Sequence, residues 1–236
     1  MINTESNLIK KRIESLKRNI KEIAQNCGRN DQDIKIMAVT KGVDPSLILE
    51  VYKEGIDLFG ESYFQEASKK LDYLYDNSHL NKKNFHFIGH LQKNKTSKAI
   101  SYFSSIDSID SIELCELISR KASKNNITVD VMIEVKTSYE ETKYGLFPED
   151  INNIVSNLIK LPNINLIGVM TIAPLKATQD LIRDCFRRLF KVWEEINKLY
   201  NLKLPYISMG MSDDYKIAIE EGSTMLRIGR AIFGRS

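Results

Sequence analysis

A chain of 236 residues, 42% hydrophobic and 28% charged, has the length for one sizeable core or two small ones. Its formal charge of only +3, with the basic residues dispersed, argues against nucleic acid or an acidic membrane surface as partner. Cys27, Cys115 and Cys185 lie far apart with no Cys-x-x-Cys spacing, which suits reduced thiols in core or surface positions of a cytosolic protein better than a disulfide framework.

From the N-terminus, residues 4–26 place Ile9, Ile13, Leu16, Ile20 and Ile23 at helical spacing among charges. That pattern predicts an amphipathic helix and not the apolar region of a secretory signal. No run of roughly 18 apolar residues follows, so a soluble, cytoplasmic protein without a membrane span is expected. From residue 34 onward, short β-branched runs alternate with longer amphipathic ones. Strands are predicted at 34–41, 57–61, 85–90, 103–107, 128–136, 165–172, 206–210 and 224–229. The intervening stretches read as helices, among them "PSLILEVYKEG", with proline in the first turn and glycine at the end.

Eight strands with seven helices between them and one ahead of the first predict a closed (β/α)8 barrel, the leading helix taking the eighth helix's place. Spacing alone does not distinguish closure from a doubly wound open sheet. No linker or change of composition marks a second domain, so residues 1–236 are read as one domain.

In a barrel, chemistry collects at the C-terminal ends of the strands. Lys41 ends the first predicted strand, "IKIMAVTK", and by alternation shares a side with Met37 and Val39. An amine at the top of the interior would be partly desolvated, which favours the neutral form that attacks a carbonyl. The bland alternative is a loop lysine snorkelling to water.

The last two strand ends read "SMGMSDD" and "GSTMLRIGRAIFG". The loops after strands seven and eight of a barrel often hold phosphate. Gly210 and Gly229 would let backbone N–H groups approach phosphate oxygens, Ser208 and Ser212 offer hydroxyls, and Arg230 a charged contact. The competing reading of these glycines is turn punctuation. Arg227 falls on the interior side of the last strand, where it meets either a barrel acid such as Glu134 or a ring atom of a ligand. An amine nucleophile, a phosphate cradle and a cation at ring depth together describe a site for pyridoxal phosphate (PLP). His86 and His90 are four apart on a strand-like segment with no third ligand, so no metal site is expected.

These residues carry a resemblance. "AVTKG", "FGESYFQEA", "FHFIGHLQKNK", "TSYEETKYGL", "GVMTIAP" and "SMGMSDDYKIAIEEGSTMLRIGRAIFG" resemble the pyridoxal phosphate homeostasis (YggS/PROSC) family, over nearly the whole chain. The resemblance implies a TIM barrel like the alanine racemase N-terminal domain, binding PLP as an aldimine at Lys41. It further implies Ser208, Gly210, Gly229 and Arg230 around the phosphate, Arg227 near the pyridine nitrogen and Met170 close to the ring. Ser62 stands where the family typically has asparagine, and Arg230 where many members have a small hydroxyl residue. Lys143 matches a family lysine.

A permanent cation at the pyridine nitrogen weakens the ring as an electron sink, which disfavours transamination. Racemisation needs two proton-transfer groups on opposite faces. Racemases of this fold type supply one of them, a tyrosine, from a second domain that is not visible in this sequence. The expectation is therefore a monomeric carrier that releases PLP to apo-enzymes. Two alternatives stay open: an enzyme, either a racemase or a cofactor-free Schiff-base lyase with Tyr63 or His86 as acid/base, and a scaffold that has lost its ligand.

Overall fold

The computed structural model describes residues 2–138 and 144–234. Its eight strands are β1 (Lys35–Val39), β2 (Leu58–Glu61), β3 (Phe85–Phe87), β4 (Ser105–Ile109), β5 (Val129–Glu134), β6 (Ile164–Met170), β7 (Tyr206–Ser208) and β8 (Met225–Ile228). They pair in parallel in chain order, and β1 also pairs with β8, so the sheet closes. Closure decides the question that spacing left open: the fold is a (β/α)8 barrel and not an open doubly wound sheet.

The leading helix α1 (Ile2–Asn26) buries Ile9, Ile13, Leu16 and Ile20, with Ile23 packed beside them. Between strands run α2 (Pro45–Lys53), α3 (Phe64–Asn77), α4 (Thr96–Tyr102), α5 (Ile112–Lys124), α6 (Ile151–Leu158), α7 (Gln179–Tyr200) and α8 (Tyr215–Glu220). The proline and glycine expected around α2 are present: Pro45 fills the first turn, and Gly55 beyond the end is left-handed at φ +79°. The structure adds a cap, Asp44, which accepts a hydrogen bond from Ser46 N–H at 2.9 Å. A further short helix, α9 (Arg230–Phe233), follows β8 and buries Ile232 and Phe233. The sequence reading ended on the strand and missed it. Among the described residues no helix is long and apolar enough to cross a membrane.

Two apolar layers result. Phe59, Phe85, Phe87, Ile106, Val131, Val169 and Leu226 point outward into the shell shared with the helices. Met37, Leu58, Met132, Ile167, Met170 and Met225 fill the barrel's interior. Methionine's unbranched, polarisable side chain suits so irregular a space. Cys115 and Cys185 are buried and Cys27 is exposed, and burial pushes the Cys115 thiol up to about 12.

Two strand boundaries differ from expectation in ways that bear on the site. β4 begins at Ser105, two residues later than predicted, and carries a register irregularity between Ile106 and Ile109. β1 stops at Val39, because Val43 N–H bonds back to Thr40 C=O at 3.0 Å and Gly42 takes a left-handed φ of +67°. Lys41 therefore rides a tight turn just beyond the strand.

Candidate functional site

The turn puts Lys41 at the C-terminal face of the barrel, the working face, but leaves its side chain exposed. The expected partial desolvation is thus absent. The amine sits 5.2 Å from the centre of the Tyr63 ring, a cation–π contact across the ends of β1 and β2. Its backbone neighbours are held more firmly. Thr40 Oγ1 donates to Glu61 Oε1 at 2.6 Å, and the buried Lys70 donates to Thr40 C=O at 2.6 Å and Glu61 Oε1 at 2.8 Å. Glu66 accepts from Gly42 N–H at 2.6 Å and from Lys70 at 3.2 Å. Burial raises the Glu61 carboxyl above the usual range despite Lys70 and Thr40. For Glu66 burial also acts upward, but the Gly42 N–H, Lys70 and the charge of Lys41 outweigh it and hold that carboxyl low.

Arg227 lies inside the barrel, 3% exposed, with its Cα in register with Met37 of β1. Nη1 donates to Ser208 C=O and Oγ, and Nη2 to Thr171 C=O at 2.7 Å. Burial pushes the guanidinium below its ordinary value, while Asp214, Glu134 and Asp107 pull the other way. The barrel acid named from the sequence, Glu134, is thus one of three acids around this cation. Asp214 is itself raised by burial, against the pull of the Met211 N–H and Arg227.

The two loops read as a phosphate cradle are joined to each other. Ser212 Oγ accepts from Ala231 N–H at 3.1 Å, linking the β7 loop to α9. Gly210 has φ +96°, and a Cβ there would stand 2.5 Å from that of Ala218, so glycine is required on both counts. Gly229 does not share that requirement: its φ is −107° and a Cβ would meet Val39 at an ordinary 3.5 Å. Ser208 is fully buried, its hydroxyl oxygen already accepting from Arg227. The exposed Arg230 side chain pairs with Asp213. Met170 is fully buried in the interior methionine cluster. Lys143 lies outside the described residues.

His86, an acid/base candidate from the sequence, is buried with Nδ1 2.9 Å from Asp107 Oδ2, and Ser105 donates to the other oxygen of Asp107 at 2.5 Å. His90 is elsewhere, against Asp110 at 3.1 Å and stacked on Tyr144. Among the described residues no three His, Cys, Asp or Glu side chains are arranged to hold a metal ion. Sequence reasoning missed the Lys70, Glu61 and Glu66 cluster. Its signals were an acid closing the wholly buried strand "LFGE" and the Glu66–Lys70 spacing of one helical turn.

Comparison with known proteins agrees with this geometry. The family model for the alanine racemase N-terminal domain matches residues 12–236. The pyridoxal phosphate homeostasis protein of Aquifex aeolicus is 38% identical over 223 residues, covering 94% of this chain and 96% of the relative. Its human namesake is 34% identical over 228 residues, covering 90% and 82%. The structure of PipY from Synechococcus elongatus with PLP bound superposes with a TM-score of 0.83 at 31% identity, covering 96% of this chain and all of that one. An alanine racemase of Clostridium difficile, 17% identical, shares the fold with a TM-score of 0.74, covering 93% of this chain and 59% of that one. The chain belongs to the alanine racemase N-terminal domain family and, within it, to the pyridoxal phosphate homeostasis proteins.

Proposed function

We propose that this chain is a PLP-binding barrel, one domain acting as a cytoplasmic monomer, that holds the cofactor as an aldimine with Lys41 and supplies it to apo-enzymes without strong turnover of its own. One observation carries the reading most directly. Pairing of β1 with β8 brings the turn bearing Lys41 beside the loop bearing Gly229, at the face where barrels do their chemistry. The structure of PipY, 31% identical, has PLP bound, which supports the same cofactor here.

The residues present fit the group. Lys41 offers an accessible amine, and the left-handed Gly210 together with the Ser212–Ala231 link shapes two small-residue loops for a phosphate. Arg227 supplies a buried cation. When bound, PLP supplies an aldehyde that condenses with amines, and a carrier's task is to keep that aldehyde from reacting elsewhere. Arg227 already donates to Ser208 and Thr171, so those contacts fix its guanidinium in place and it serves as a positioned cation. Ser208, Gly210, Ser212, Gly229 and Arg230 are assigned to the phosphate and Met170 to the ring. For Ser208 and Arg230 this requires exchange of the partners they have in the structure.

The test is direct. The purified protein should be yellow with PLP, and borohydride should fix the cofactor covalently at Lys41, as peptide mapping reads out. A colourless protein, or label confined to other lysines, would sink the reading. Sustained inversion of amino acids of either hand would replace the carrier by a racemase.

A further inference from the structure

The Lys70 cluster is built in an expensive place. Lys70 is 8% exposed and Glu61 wholly buried, and Glu61 Oε2 has no hydrogen-bond partner among the described residues. Taking such charges out of water costs several kcal/mol per ion, and a buried pair seldom repays that in stability. What the cluster holds explains its presence better. Thr40 C=O, bound by Lys70, belongs to the peptide unit before the Lys41 Cα, and Gly42 N–H, bound by Glu66, to the unit after it. Thr40 is gripped a second time through its hydroxyl by Glu61. Fixing both peptide planes fixes φ and ψ of Lys41, the only soft backbone dihedrals at that residue.

We propose that Lys70, Glu61 and Glu66 are positioning residues, which clamp the two peptide units flanking Lys41 and so aim its amine at the carbonyl it captures. This rests on the reading of Lys41 as the residue that links PLP. The side chain itself has freely rotating bonds and is exposed, so its backbone origin is what the fold controls. Glu66 adds a negative charge beside the amine, felt mutually in its own lowered carboxyl. The long-range anchors, Glu61 on β2 and Lys70 on α3, mean that the turn is aligned by the barrel and the helix shell together.

Two ligands separate aim from affinity: PLP, and deoxypyridoxine phosphate, which carries a methyl group where PLP has its aldehyde. Glu66→Ala, a change at a partly exposed side chain, should weaken PLP binding about tenfold, less than the roughly hundredfold that a misplacement of about 1 Å in a reacting group can cost, and leave the methyl analogue unchanged. Glu66→Gln should restore PLP binding, since its amide oxygen still accepts from Gly42 N–H. Lys70→Met should act like Glu66→Ala through the preceding peptide. Equal weakening of both ligands, or wild-type PLP binding by Glu66→Ala, would overturn the clamp. Lys41→Ala is the control for the underlying reading: it should bind PLP no better than the analogue. If Lys41→Ala binds PLP as wild type does, both the link and the clamp fail. If it is impaired while Glu66→Ala is not, only the clamp fails.

Discussion

Arg227 donates through one guanidinium nitrogen to both the carbonyl and the hydroxyl of Ser208, each at 2.8 Å. Its other terminal nitrogen reaches Thr171 at the end of β6, so one side chain from β8 ties together the ends of three strands. Arginine's planar fork is suited to such simultaneous contacts in a way that a lysine ammonium is not.

Arg227→Met should therefore be severe. It removes the buried cation from among Asp214, Glu134 and Asp107 and takes the donors from Ser208 and Thr171. A loss of about 3–5 kcal/mol in unfolding free energy is expected, the usual cost of stripping one partner from a buried charged cluster. Arg227→Lys keeps the charge but not the fork and should fall between. Urea unfolding measures both, and a change below about 1 kcal/mol for Arg227→Met would show the guanidinium to be dispensable to the fold.

Gly210 and Gly229 look alike in sequence and should behave differently. Gly210→Ala meets a left-handed backbone and a 2.5 Å contact with Ala218 Cβ, and should cost about 1–3 kcal/mol or more. Gly229→Ala meets neither, and its stability should stay within about 1 kcal/mol of wild type. Equal thermal denaturation midpoints for the two variants would contradict this distinction.

The raised Glu61 carboxyl makes a pH prediction. Burial, the dominant influence, lifts it above its ordinary 4.5 in the folded chain. The unfolded state then loses its proton first as pH rises. Stability from this group is fully present below the unfolded value and is lost as pH climbs through the folded one. Comparing wild type with Glu61→Gln by urea unfolding isolates it: the wild type's relative stability should decline from pH 4.5 upward and then level off. A relative stability that rises over that window would mean the carboxyl is held low instead.

Local patterns made much of the fold legible. Ile9, Ile13, Leu16 and Ile20 declare the buried face of α1 through spacing alone, because a helix repeats its faces every few residues. Pro45 and Gly55 bracket α2 through turn chemistry that acts within a few bonds. Lys41 and Arg227 were visible for a similar reason: polar groups at or inside apolar strands stand out. The helix α9 was not visible, since a four-residue segment has too little periodicity to read and is held by packing against the rest of the molecule.

The chain by itself thus determined the rhythm of strands and helices, a lysine at the end of the first apolar run and the glycine-bearing ends of the last two, since each depends on residues close in sequence. Only the tertiary structure decided that β1 meets β8 and closes the barrel, that Arg227 is claimed by Ser208 and Thr171, and that Lys70 reaches across thirty residues to the peptide before Lys41. Those are contacts between distant segments, set by how the layers pack, and no local propensity encodes them.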